Sequence, residues 1–453
     1  MSMGRSIIIT PCRHVEGEVR VPGDKSISHR ALLVGMLAEA PLAVSGLSPA
    51  QDVAATRQAV EALGSLVSSP RAPDGYRANV EIEPSQVSIS DRDLQIQVAG
   101  PGWDRLSSPG DPIDIVNSGT TIRLLLGILA GSTAEATLTG DPSIRRRPMA
   151  RVVDPLRLMG AKIDGADGGE RAPLTVHGTA LLGRDHVLPM ASAQVKSALI
   201  FAGLRATGIT SIAEPAPSRD HTERMLAHLG VPIEKSQDRL ILKSTNIQGG
   251  SVMIPGDLSS AAFLLVAAAI LPGSQLSVAD VGLNPTRSGI LDILSRYGAD
   301  VHIEDKRVVS GEPVGTLTVR AADRLPLRVD GELAVRALDE LPLVGVLGAF
   351  AEGETVVADA AELRVKESDR IAALAAGLGA MGVDITSTPD GFTIRGSARP
   401  AGASLHGAGD HRIAMALAIA ALGADGPSQI SGWEAVGVSY PGFEDDLASV
   451  VVP

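Results

Sequence analysis

Apolar and polar positions along the chain fall into a recurring unit. A polar start is followed by an amphipathic helical pattern that closes on Leu-Gly, Met-Gly or Tyr-Gly, and then by a short β-prone segment. The unit appears at Asp52 to Gly64, at Pro148 to Gly160 with Ala161-Lys162-Ile163, and at His221 to Gly230 with Val231-Pro232-Ile233. It returns at Ser288 to Gly298 with Ala299-Asp300-Val301 and at Ser368 to Gly382 with Val383-Asp384-Ile385, and Pro441 to Val451 reads as a truncated sixth copy. Glycine after the last periodic residue predicts a left-handed C-cap, so each helix feeds a strand through a tight turn.

A second repetition divides the chain. Ile254-Pro255-Gly256-Asp257-Leu258-Ser259 restates Val21-Pro22-Gly23-Asp24-Lys25-Ser26, and an apolar helical run follows each, Ala261 to Ile270 and Ala31 to Ala38. Six units in 453 residues are roughly seventy-five residues each, three to a half. The two Pro-Gly-Asp turns then act as the hinge. Residues 1–22 join 256–453 in a discontinuous first domain of three repeats, and 23–255 form the second, also of three. The stretches Ser68 to Arg77 and Pro101 to Pro112 read as surface loops.

Composition narrows the function classes. Hydrophobic residues make up 44% and aromatic ones 2%, so cores must be packed with Ala, Val, Leu and Ile. A net charge of −12 argues against nucleic acid or an anionic membrane as partner. Small anionic substrates fit if the cations are concentrated locally. Apolar runs such as Ala261 to Leu271 are too short to span a bilayer, and Met1 to Gly17 lacks the apolar core of a signal peptide, so a cytoplasmic location is expected. The single cysteine, Cys12, excludes an intramolecular disulfide and a Cys-rich metal site and is expected to be inert.

The cations cluster at predicted helix starts. Asp24 is a plausible N-cap, which sets Lys25 and Ser26 in a first turn and Arg30 on the same face as Ser26. Free N–H groups and the helix dipole there favour an anion, although a capped helix with solvated Lys and Arg would have the same sequence. In Asn117-Ser118-Gly119-Thr120-Thr121-Ile122-Arg123, Gly119 allows close approach to the backbone and Thr120 or Thr121 can cap the next helix. Arg145-Arg146-Arg147 precedes Pro148, which suits a first helical turn, and at least one of these three cations is expected to be solvated. Ser192, Ala193 and Gln194 open a helix, Arg219 opens the repeat at His221, and Asp339 and Glu340 precede the helix at Leu341. In the densest cluster, Ser368 can cap a helix with Lys366 and Glu367 at its mouth and Arg370 one turn in, and Arg412 begins the last apolar helix. In an acidic chain this recurrence points to one polyanion site for substrates carrying phosphate and carboxylate. His29, His221 and His411 read as structural hydrogen-bonders.

Gly-Asp-Lys-Ser-Ile-Ser-His-Arg (23–30), Ser-Ala-Gln-Val-Lys-Ser-Ala (192–198), Arg-Asp-His-Thr-Glu (219–223), Glu-Leu-Arg-Val-Lys-Glu-Ser-Asp-Arg (362–370) and Asp-His-Arg-Ile-Ala-Met (410–415) follow one another along nearly the whole chain. Together they resemble the 3-phosphoshikimate 1-carboxyvinyltransferase (EPSP synthase) family. The resemblance implies an α/β fold of two domains, each of three βαβαββ repeats around inward helices, an inverse α/β prism with the active site in the interdomain cleft. It implies transfer of the enolpyruvyl group of phosphoenolpyruvate to the 5-hydroxyl of shikimate 3-phosphate, with no metal or organic cofactor, in a monomer. By the same resemblance Lys25, Ser26, Arg30, Ser192, Ala193, Gln194, Arg219, Asp339 and Lys366 would hold shikimate 3-phosphate. Lys25, Gly119, Arg147, Gln194, Arg370 and Arg412 would surround phosphoenolpyruvate. Asp339 would take the hydroxyl proton, and Lys25 with Glu367 would serve the methylene carbon.

The chain departs from the family's more familiar branch, which has Asn at the position of Glu362, Ser at Ala193, Tyr at Asp220, and a Lys near Val438-Ser439-Tyr440. Ser-Ala-Gln and Arg-Asp-His instead resemble the second, often herbicide-tolerant branch. That branch can carry Ala where Gly119 stands, so glyphosate is expected still to bind here. Two other readings are an enolpyruvyl transferase acting on UDP-N-acetylglucosamine, which typically uses a loop cysteine absent from these clusters, and an inactive phosphometabolite-binding protein.

Overall fold

The computed structural model describes residues 4–69, 95–236, 238–321, 323–396 and 399–453. Among these the strands form six sheets, four of four strands, one of five and one of three, each containing a parallel pair; in three of the four-stranded sheets that pair is consecutive in the chain and is extended by an antiparallel hairpin. In one, Ile113–Asp114 runs parallel to Glu135–Thr139, which pairs antiparallel with Arg171–His177 and through it with Lys162–Ala166. Asp185–Val187 with Ile209–Ala213 and Arg328–Val329 with Gly353–Val357 begin two more of the same kind.

The other three sheets draw strands from distant parts of the chain. Gly250–Met253 is the parallel partner of Leu42–Ser45, with Val252 opposite Val44. His14–Val19 is the parallel partner of Gln275–Gly282. Ser6–Ile9 closes the sixth sheet against Ser428–Ser431, the partner of Ser404–His406.

Two kinds of helix cover these sheets. The amphipathic repeats form Gln51–Ala62, Ala150–Leu158, His221–His228, Gly289–Arg296, Arg370–Ala380 and Phe443–Val450, each with an exposed face. The apolar runs form Lys25–Leu37, Gly119–Ala130, Ala193–Gly203, Leu258–Ile270, Leu341–Phe350 and His411–Leu422. These are buried nearly all round, and Leu258–Ile270 is buried at every residue, as a helix apolar on all faces must be. Buried apolar residues gather in two clusters, one from Ile9 to Val21 and Leu258 to Val450, the other from Ile27 to Ile254. Cys12 belongs to the first, and burial pushes its thiol up, consistent with an inert side chain. No helix among the described residues is long and apolar enough to cross a membrane.

Gly64, Gly160, Gly230, Gly298 and Gly382, which close the amphipathic helices, all have φ between 81° and 104°, as the C-cap pattern predicts. Local details differ from the sequence reading. Ser118 caps Gly119–Ala130, accepting from Thr121 N at 3.2 Å, because the extended cap conformation falls one residue before Gly119. Asp369, with Oδ1 3.0 Å from Ala372 N, caps Arg370–Ala380 in place of Ser368. The helix after Pro148 begins only at Ala150, and Arg147 ends the short helix Pro142–Arg146. Pro232, which lacks an N–H for a ladder, delays the expected strand to Glu234–Ser236. The segment 101–112 is not wholly superficial, since Trp103 is buried beneath the Arg205 guanidinium, 5.8 Å from its ring centre. Of the other expected loop, Ser68 ends the strand Leu66–Ser68 and residues 70–77 lie outside the described residues.

The two Pro-Gly-Asp turns lie side by side where the chain passes between the clusters. Gly23 and Gly256 form an antiparallel bridge, flanked by Asp24 N to Pro255 O and Asp257 N to Pro22 O, both 2.8 Å. A Cβ on Gly23 would lie 1.7 Å from the Gly46 carbonyl oxygen, so only glycine fits. Gly23→Ala is therefore expected to cost about 3 kcal/mol of unfolding free energy, read as a lowered denaturation midpoint. An unchanged midpoint would show that the crossover tolerates displacement.

Candidate active site

The N-termini of all six inner helices reach one cleft, represented in its lining by Lys25, Gly119, Ala193, Asp257, Asp339 and His411. Each helix start presents unpaired N–H groups and the positive end of its dipole. Every candidate residue of the sequence reading lines this cleft: Lys25, Ser26, Arg30, Gly119, Arg147, Ser192, Ala193, Gln194, Arg219, Asp339, Lys366, Glu367, Arg370 and Arg412. Of the three consecutive arginines only Arg147 does, while Arg145 turns back to the Gly140 carbonyl at 2.8 Å.

Carboxylates hold these cations apart. Asp339 Oδ2 accepts from Arg219 Nη2 at 2.7 Å and lies 3.8 Å from Arg412 Nη2, and its Oδ1 lies 3.5 Å from Arg370 Nη1. Burial opposes ionisation of Asp339, yet Arg412, Arg219, Lys366 and Arg370 hold it well below the usual carboxylate range. Glu367 accepts from Arg370 Nη2 at 2.6 Å and faces Arg147 Nη2 at 3.4 Å. It too is held ionised against its burial, chiefly by Arg370 and Arg147. Arg370 is fixed in turn by Asp410, with Nε 2.8 Å from Oδ2. Lys25 Nζ stands 3.1 Å from Asp52, a buried carboxylate at the start of Gln51–Ala62.

Arg30 is largely committed within the protein. It donates from Nε to Thr222 Oγ1 at 2.6 Å, from Nη1 to the Ser26 carbonyl at 2.8 Å and from Nη2 to Ser197 Oγ at 2.9 Å. Burial brings its pKa down to about 10 against the pull of Glu223 and Asp24. By contrast Arg147 Nε and Arg123 Nε are buried donors without a hydrogen-bond acceptor, and Arg147 Nη2 and Arg370 Nη1 have only the longer ion-pair contacts to Glu367 and Asp339. Such donors around a cleft call for an anion.

Several lining residues escaped the sequence reading. Arg123, one turn beyond Gly119, donates to Gln194 Oε1 at 2.7 Å, and burial with neighbouring Arg151 and Arg147 lowers its pKa to about 9. Its i+4 spacing from Gly119 was the available signal. Arg151 and Glu362 face each other across the cleft at 3.6 Å. His29 and His221 are structural as expected, bound through Nδ1 to Thr56 Oγ1 at 2.6 Å and to Glu312 Oε1 at 2.8 Å. His411 instead lines the cleft, and burial followed by Lys25 lowers its pKa to about 3.

This lowering has a defined sign. From the ordinary value of 6.5 down to about 3, the unfolded chain binds a proton at His411 and the folded chain does not. Stability is therefore lost as pH falls through that window, at up to about 1.4 kcal/mol per pH unit from this ring. The melting temperature of the unsubstituted protein is expected to fall more steeply below pH 6.5 than that of His411→Gln. Equal slopes would mean that the ring is charged in the folded state.

Known proteins share both the sequence and the architecture. The sequence model of EPSP synthase (3-phosphoshikimate 1-carboxyvinyltransferase) matches residues 9–447. The chain is 46% identical over 451 residues to a 3-phosphoshikimate 1-carboxyvinyltransferase of Synechococcus sp. (strain JA-3-3Ab), covering 99% of this chain and 97% of that protein. It is 46% identical over 450 residues to one of Gloeobacter violaceus, covering 99% of each. The solved EPSP synthase of Acinetobacter baumannii superposes with a TM-score of 0.84 at 37% identity, over 99% of this chain and 98% of that one. The enolpyruvyl transferase NikO of Streptomyces tendae, at 19% identity and a TM-score of 0.76, shares the fold. With the six-sheet architecture and the cation-ringed cleft, these matches establish that the chain belongs to the EPSP synthase (3-phosphoshikimate 1-carboxyvinyltransferase) family.

Proposed function

We propose that this chain transfers the enolpyruvyl group of phosphoenolpyruvate to the 5-hydroxyl of shikimate 3-phosphate, giving 5-enolpyruvylshikimate 3-phosphate and phosphate. The observation that carries the reading is an ionised, partly buried carboxylate, Asp339, set among Arg219, Arg370 and Arg412 in a cleft that also holds Lys25 and Glu367. Residues 1–22 with 256–453 and residues 23–255 act as two domains closing on that cleft. All of these groups come from one chain, so a single copy suffices.

Asp339 accepts the proton of the 5-hydroxyl as its oxygen bonds to the central carbon of phosphoenolpyruvate, and the methylene carbon takes up a proton. Elimination then removes a proton from the resulting methyl group while the C–O bond to phosphate breaks. Lys25 and Glu367 share these two transfers at the methylene carbon. Glu367, held as a carboxylate by Arg370 and Arg147, is set to recover the proton in the second step. Arg147, Arg370 and Arg412 bind the phosphate and carboxylate of phosphoenolpyruvate, with Gly119 and Gln194 beside them. Ser26, Arg30, Ser192, Ala193, Gln194, Arg219 and Lys366 hold shikimate 3-phosphate. Bringing two anions into contact needs this cationic lining, and orienting them lowers the barrier by about 7 to 11 kcal/mol.

Phosphate release is expected when phosphoenolpyruvate is supplied with shikimate 3-phosphate, and not when UDP-N-acetylglucosamine replaces the latter. Release with neither, from folded protein, would overturn the reading. Asp339→Ala should abolish most turnover, and Arg147→Ala should lower it by about 10² to 10³.

A Cβ at residue 119 would lie 2.5 Å from Arg147 Nη1 and 2.9 Å from Arg123 Nη1, so both guanidinium groups must move. Glyphosate is expected to inhibit the unsubstituted protein in competition with phosphoenolpyruvate. Gly119→Ala should raise the KM for phosphoenolpyruvate and weaken that inhibition, and a KM and inhibition curve identical to the parent's would show that the arginines do not seat this substrate.

A further inference from the structure

The turn Asn284-Pro285-Thr286-Arg287, absent from the motifs above, lies against the chain crossover. Arg287 is only 3% exposed and touches both halves of the protein. Its Nη1 donates to Asp24 Oδ2 in a close ion pair, while its Nη2 donates to Asp257 Oδ1 at 2.9 Å and to Ser259 Oγ at 2.6 Å.

Each acceptor controls a helix start. Asp24 caps the helix that begins at Lys25, accepting from Ile27 N at 2.9 Å. Asp257 caps Leu258–Ile270 through Ser259 N at 2.8 Å, and its other oxygen faces the Lys25 backbone N–H at 3.5 Å. Ser259 Oγ donates onward to Glu340, the residue after Asp339. One guanidinium thus joins the residue before Lys25 to the residue after Asp339.

We infer that Arg287 is a positioning residue that sets Lys25 in register with Asp339, a role that rests on the reaction proposed above. The crossover's backbone hydrogen bonds bring two buried carboxylates, Asp24 and Asp257, beside each other, and like charges there would push the helix starts apart. A planar fork of donors is the side chain suited to hold both. The same turn reaches the substrate cations a second way, since Asn284 Nδ2 donates to Asp220 Oδ1 at 2.8 Å and to Glu312 Oε2 at 3.0 Å, next to Arg219.

The test uses the full chain with Arg287→Lys, which keeps the charge without the fork, and Arg287→Ala. Steady-state phosphate release, shikimate 3-phosphate affinity by calorimetry and thermal unfolding are measured for each. For Arg287→Lys we expect kcat to fall about 10²-fold while affinity changes by less than about threefold. For Arg287→Ala the loss is larger, and millimolar guanidinium chloride restores about tenfold where sodium chloride at equal ionic strength does not. Parental kcat in Arg287→Lys overturns the inference. So does a loss of affinity that matches the loss of kcat, which would place Arg287 on the substrate, and so does a folded Arg287→Ala that guanidinium leaves unchanged. Should Arg287→Ala not fold, Arg287→Lys decides. Absence of release by the unsubstituted protein would instead mark failure of the proposed reaction.

Discussion

Mutual repulsion among crowded cations is the constraint that the rest of the structure answers. Lys25, Arg123, Arg147, Arg219, Arg370 and Arg412 line one cleft in a protein whose net charge is −12. Six helix dipoles add positive potential at the same place. A shell of carboxylates, Asp52, Asp339, Glu367 and Asp410, makes this arrangement tolerable and is itself kept ionised by the cations it separates. The carboxylates proposed for proton transfer therefore also hold the cleft together. Binding of anions redistributes that compensation instead of creating it.

Bringing six helix starts to one place requires the helices to pack closely, and the composition permits it. A Cβ on Gly127 would lie 2.1 Å from the Ala198 carbonyl oxygen, so the helices Gly119–Ala130 and Ala193–Gly203 approach nearly backbone to backbone. The Phe263 ring, carried by the inner helix Leu258–Ile270, meets Phe443, which also packs against Trp433 and Tyr440.

What the sequence made legible was what local physics controls. The glycine-ended amphipathic helices, the Asp24 cap and the cationic helix starts could be read directly, because each depends on residues within one or two turns. Less legible were features set by tertiary contact. Arg287 stands in an ordinary-looking turn, and its role exists only because two caps more than two hundred residues apart in sequence meet beside it. His411 looked like another structural histidine, and only packing shows that it faces the cleft. The misplaced caps, at Thr120 or Thr121 and at Ser368, arose from nearby residues of similar capping ability, among which the backbone chooses by φ and ψ.

The pairing of the first strands with late ones bears on how the chain comes off the ribosome. Ser6–Ile9 needs Ser428–Ser431, His14–Val19 needs Gln275–Gly282, and Leu42–Ser45 lacks its parallel neighbour until Gly250–Met253 has emerged. Residues 6–19 thus wait for partners made much later, His14–Val19 until Gln275–Gly282 and Ser6–Ile9 until Ser428–Ser431 has emerged. The mixture of charged residues among apolar ones there, Arg13, Glu16 and Glu18 beside Val15 and Val19, suits a segment that has to wait in solution without pairing elsewhere.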